Sequence, residues 1–235
     1  MSENTQQITL AHARQEASSI FLAKVFNWMA TGLGLTGLVA LVTSETGMAL
    51  KIASSPLFFI LIIGELGMVF YLSARVEKIK AATASLLFYL YAFLNGLTLS
   101  VIFLAYTRTS IAGTFFITAG MFGAMAAYGT VTKKDLSGWG SFLFMGLIGI
   151  IIASIVNIFL GSSSLYWAIS LIGVFIFTGL TAYDVQKIKK MGEQGILDQG
   201  DEAIKKGSIM GALALYLDFI NLFLMLLRFF GASRN

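Results

Sequence analysis

Apolar residues run through this chain in seven long stretches, at roughly 25–43, 57–74, 85–106, 111–130, 140–160, 165–184 and 209–230. A helix needs about 20 apolar residues to cross ~30 Å of hydrocarbon. The stretches therefore predict seven transmembrane helices and an all-α membrane protein. Most connections are short and polar: "RVEKIKAATA", "TRTS", "TKKDLSG" and "GSSS". The long one, 185–208, is charged at both ends and broken by glycines, and reads as a loop. The polar stretch 1–22 reads as a cytoplasmic tail without the basic n-region and short apolar core of a cleavable signal, leaving 23–235 as the membrane domain. Pro56, the lone proline, stands just before the second stretch, a helix-start position rather than a kink.

Composition agrees with the pattern. The 235 residues are 57% hydrophobic and 12% charged, with a mean hydropathy of +0.83. An ordinary soluble domain carries about 25% charged residues. No cysteine is present, which excludes disulfides and thiolate metal sites. The single histidine, His12, lies in the polar tail and cannot build a histidine metal site or triad alone.

The net charge of +4 does not mark a nucleic-acid surface, because the basic residues gather at the ends of apolar runs. With the N-terminus inside, twelve of the sixteen Lys and Arg fall on the inner side, leaving Lys51, Arg108, Arg228 and Arg234 outside. That bias predicts a cytoplasmic N-terminus and an outer C-terminus.

Glu65, Asp184, Asp218 and Arg228 lie within or at the rim of the predicted spans, and Arg75 and Arg108 mark span ends. An Asp or Arg at mid-helix costs about 3 kcal/mol on insertion scales, so such residues face the bundle interior or water and find partners. Two carboxylates from adjacent spans can share a proton and titrate as a unit. An idle reading stands beside each: Asp184 solvated near Lys187, Glu65 protonated for packing, Arg228 a snorkelling anchor, and Asp218 without a role, the hardest of the four to sustain because mid-span acids are functional by default. A depth mismatch is also expected: Asp218 falls near mid-membrane and Asp184 near the inner rim. Gly113, Gly120, Gly123, Gly129, Gly146 and Gly149 suggest tight helix packing, and Asn95, Asn157 and Asn221 suggest hydrogen bonds between helices.

The segments "ALALYLDFINLFLMLLRFFG", "FTGLTAYDVQKIKK", "FLNGLTLS" and "KKDLSGWGSFLFMGLIGII" resemble the Bax inhibitor-1 (transmembrane Bax inhibitor motif) family, in its compact bacterial form. The resemblance extends over nearly the whole chain from about Phe21 and is most specific in the last span. It implies a seven-helix bundle whose last helix is central and surrounded by the other six, in a bacterial plasma (inner) membrane. It also implies a pH-sensitive calcium leak, with Asp184 and Asp218 as a di-aspartyl sensor, weak transient calcium contact at those two residues, and no tightly bound cofactor. Glu65 is expected to pair with Arg228, and Arg75 is the nearest candidate for a latch.

Two other functions compete. An intramembrane aspartyl protease would also use two aspartates, but its Gly-x-Gly-Asp motif is missing, since Asp218 follows "LYL", and its Pro-Ala-Leu turn cannot be built around Pro56. A non-conducting regulator of a membrane-bound protease, an association the resemblance suggests, would use the N-terminal tail as its handle. No phosphate-binding glycine loop is present, and "DQGDE" at 198–202 lacks the spacing of an EF-hand.

Overall fold

Helices carry almost every residue of the computed structural model, which describes the backbone of residues 3–234 and the side chains of residues 12–234. In chain order they are α1 (Glu3–Glu45), α2 (Met48–Ala53), α3 (Leu57–Arg75), α4 (Ala81–Leu99), α5 (Ile102–Ala105), α6 (Arg108–Val131), α7 (Ser137–Leu160), α8 (Ser163–Glu193) and α9 (Asp201–Phe230). Among the described residues, seven spans are long and apolar enough to cross a membrane, with α4 and α5 forming one of them and α2 lying outside them.

Local chemistry sets the ends. Thr107 caps α6 by accepting from the Ser110 N–H at 3.4 Å. Asp135 Oδ1 accepts from the N–H and the hydroxyl of Ser137, at 3.1 and 2.7 Å, as α7 begins. Gly161 closes α7 at φ 60°, where an L side chain would be strained.

Three spans are longer than the apolar runs predict. The expected loop 185–208 is mostly helix, interrupted only between Gly195 and Gly200 around a 3-10 turn, Ile196–Gln199. Polar residues sustain both extensions. Lys189 pairs with Glu193 at 3.7 Å on α8, and Glu202 with Lys206 at 3.3 Å on α9. Asp201 and Glu202 also complement the positive N-terminal end of α9. In α1 the helix runs on through most of the expected tail. Ser18, Phe21, Leu22, Val25 and Met29 are buried, the three- and four-residue spacing of one helix face. Side chains 1–11 of that tail lie outside the described residues.

Two compact units divide the chain: Met1–Ala105 with Ile188–Tyr216, and Tyr106–Lys187 with Leu217–Asn235. In the first, α4 packs on α1 and α3. Gly96 permits this, since a Cβ there would come within 2.8 Å of the Thr36 carbonyl oxygen. The first half of α9 supplies Ile209, Leu215 and Tyr216 to the core of this unit. In the second unit, Leu222 and Leu226 of α9 join a cluster with Leu143 and Ile150 of α7 and Ile169, Ile176, Phe177 and Leu180 of α8. The last helix is thus the most buried of the seven spans, in keeping with a central position. By contrast α7 keeps Ile158, Phe159 and Leu160 exposed, an apolar face suited to lipid.

Candidate functional site

The second unit brings Asp184 of α8 and Asp218 of α9 into side-chain hydrogen-bond contact. The expected depth mismatch does not keep them apart, although Asp184 lies nine residues before Glu193, about 14 Å inside the helix end, and Asp218 seventeen residues after Asp201, about 26 Å from its start. Asp218 is 5% exposed, and Asp184 is half-buried, with the exposed Lys187 one turn along. An ionised carboxylate only accepts hydrogen bonds. A hydrogen bond between two of them therefore requires a proton on one.

Neighbouring helices hold the α8 segment around Asp184 from several directions. Gly129 of α6 lies against the backbone of Ala182, where any Cβ would collide with its carbonyl. Gly140 of α7 lies beneath the Tyr183 ring. Gln186 clamps the α6–α7 connection: its Nε2 donates to the Lys134 carbonyl at 2.8 Å, and its Oε1 accepts from the Leu136 N–H at 2.9 Å. Beside Asp218, the Phe219 ring stacks edgewise on Phe115 and Phe122 at 5.3 and 5.6 Å.

The other charges behave differently. Glu65, 8% exposed, accepts from Thr98 Oγ1 at 2.5 Å and Asn95 Nδ2 at 3.1 Å. Asn95 Oδ1 in turn accepts from the Tyr216 hydroxyl at 3.0 Å, and that hydroxyl meets Thr36 Oγ1 at 2.6 Å. Arg228 donates to Ser170 Oγ at 3.0 Å and lies 3.5 Å above the Tyr166 ring. Glu65 and Arg228, expected to pair, fall in different units, and each finds partners in its own: neutral donors meet the carboxylate, and a hydroxyl and an aromatic face meet the guanidinium. Arg75 is exposed in the last turn of α3, and its latch role rests on the resemblance alone.

Three polar expectations sort themselves out. Asn95 joins helices, whereas Asn157 accepts from the Ser162 N–H at its own helix end and Asn221 donates to Leu217 on its own helix. Of the six glycines singled out, Gly129 and Gly146 make close approaches, whereas a Cβ added at Gly113, Gly120, Gly123 or Gly149 would meet nothing within 4 Å. Sequence reasoning missed Tyr216, Thr36 and Gln186. The only signal was a hydrogen-bonding side chain within a helix face that is otherwise apolar.

No cluster of three or more His, Cys, Asp or Glu side chains is poised for a metal among the described residues. Two carboxylates supply only part of the six to eight oxygens calcium takes.

Comparison with known proteins places this geometry among relatives. The family described as inhibitor of apoptosis-promoting Bax1 matches residues 18–235. The chain is 53% identical over 217 residues to the inner membrane protein YbhL of Escherichia coli K12, covering 91% of this chain and 92% of that one. It is 49% identical over 232 residues to an uncharacterized protein of Borreliella burgdorferi, covering 97% and 99%. It is 45% identical over 232 residues to an uncharacterized protein of Deinococcus radiodurans, covering 98% and 96%.

Proposed function

The chain belongs to the Bax inhibitor-1 family of integral membrane proteins, and from that premise we propose that it is a pH-sensitive calcium leak gated by Asp184 and Asp218. The observation that carries this reading is the hydrogen-bond contact between the two carboxylates inside membrane-spanning helices. With one shared proton the pair is held together. Without it, two like charges adjoin in a site where water screens them poorly, and α9 must shift to relieve them. The same loss of a proton leaves oxygen ligands of the kind calcium prefers, too few for tight binding and so compatible with passage. By likeness to YbhL the membrane is the inner one, and the excess of Lys and Arg in alternate connections favours a cytoplasmic N-terminus.

Calcium uptake into proteoliposomes, followed with an entrapped indicator dye across mildly acidic to mildly alkaline pH, tests the proposal. Wild-type flux is expected to rise with pH by roughly tenfold as the pair loses its proton. Asp184→Asn and Asp218→Asn should each flatten that profile. Protein impermeable to calcium at every pH, or variants that keep the wild-type profile, would end the proposal.

A further inference from the structure

A groove of about 730 Å³ opens on the second unit, lined by α6, α7, α8 and the connection between α6 and α7. Its floor is made where α7 and α8 come close through glycines: Gly146 under Ile176, and Gly179 under Leu143. Its walls are apolar and outward-facing. Phe142, Ile172 and Phe175 are all exposed, Ile172 by 52%. These residues belong to spanning helices, so the medium that fills the groove is the bilayer itself.

The two ends of the groove differ in chemistry. The deep end is hydrocarbon-like. The mouth is formed by Lys134, Asp135, Tyr128 and Trp139. Trp139 is 62% exposed, and Trp and Tyr favour the interface where head groups lie. Lys133 and Lys134 stand side by side in the α6–α7 connection, both exposed. Asp135 turns its carboxylate to Ser137 at the start of α7. The mouth thus offers the Lys134 ammonium, with the exposed Lys133 next to it in the chain, above a slot that accepts a chain of methylenes.

We propose that this groove is a binding site for an anionic phospholipid, with an acyl chain along Phe142, Ile172 and Phe175 and the phosphate at Lys133 and Lys134. The site stands independently of calcium conduction. It lies close to the proton-sharing pair all the same, because Tyr183 lines the groove and Gln186 donates to the Lys134 carbonyl, on either side of Asp184.

Native mass spectrometry of the full-length protein in detergent, titrated with dioleoylphosphatidylglycerol or dioleoylphosphatidylcholine, tests it. The two lipids bring the same chains, so their difference isolates the head group. Two basic residues near a lipid phosphate favour the anionic lipid on the order of tenfold. The double variant Lys133→Gln, Lys134→Gln should erase that preference, and Ile172→Trp should reduce retention of both lipids by filling the slot. Lys51→Gln, outside this unit, should leave the preference intact. Equal retention of the two lipids by the wild type would overturn the proposal, as would an unchanged preference in the lysine double variant. Loss of preference in Lys51→Gln would do the same, by showing general attraction to net charge. A dimer that disappears in Ile172→Trp while lipid retention stays low would assign the groove to a second copy and overturn the proposal as well.

Discussion

Glu65 in the first unit and Asp218 in the second are both carboxylates carried into the membrane by apolar helices, yet their neighbours could hardly differ more. Glu65 meets an amide and a hydroxyl, and behind the amide stand two more hydroxyls, Tyr216 and Thr36. Thr98 Oγ1 also lies 3.1 Å from the carbonyls of Leu94 and Asn95. Its hydroxyl can turn toward them or toward Glu65 as the carboxyl gains or loses a proton. Asp218 meets another carboxylate. Among the described residues no hydroxyl bonds this carboxylate, so the proposed reading has a change of one proton answered by movement. Burial alone therefore does not tell the two carboxylates apart. The chemistry of the partner separates a fixed group from a poised one.

The largest effect that bears on this contrast is expected from Gly129→Val. The new side chain would strike the Ala182 carbonyl, two residues before Asp184, where neither backbone can yield cheaply. Overpacking of this kind costs about 3 kcal/mol, which should appear as a clear drop in melting temperature in detergent. Gly123→Ala, with open space around it, should stay within about 0.5 kcal/mol of wild type. Equal shifts in the two variants would mean that the α6–α8 approach does not clamp the aspartate.

Next in size is Glu65→Ala, which strips the acceptor from Asn95 and Thr98 and should cost about 2 kcal/mol. Glu65→Gln should cost well under that, because an amide can donate to Thr98 and accept from Asn95. A Gln variant as damaged as the Ala variant would show that Glu65 must be ionised, and the contrast with Asp218 would collapse. Smallest should be Asp218→Asn, at about 1 kcal/mol or less at neutral pH, since its amide can donate to Asp184. A loss greater than that of Glu65→Ala would make the aspartate pair a structural element instead of a poised one.

Much of this was legible in the sequence. Seven apolar runs become seven spans, and the family resemblance carried by "LYLDFINLF" and "AYDVQKIK" extends through the chain as the comparisons find it. What escaped was whatever depends on side chains meeting across distant positions. Hydropathy ends a span at the first cluster of lysines, so it stops at Asp184 and predicts a loop where ion pairs between Lys189 and Glu193, and Glu202 and Lys206, hold a helix. It also hides the stripe at Ser18, Phe21, Leu22 and Val25, where polar neighbours on the other faces lower the window average. The pairing of Glu65 with Arg228 was an expectation of the resemblance. The partners each finds within its own unit, Thr98 and Asn95 for one and Ser170 and Tyr166 for the other, carry no charge and so give no signal in the sequence.

Beyond α9 the backbone does not run free. Tyr106 and Ser233 form an antiparallel bridge, and the Thr107 N–H donates to the Ala232 carbonyl at 3.0 Å. One terminus of the last helix is thereby tethered to the segment that opens α6. A rod fastened at one end cannot travel like a piston without tearing that fastening. If the aspartates move this helix as proposed, the fastening favours a swing about residue 230 over a stroke along its axis, with displacement growing with distance from that end.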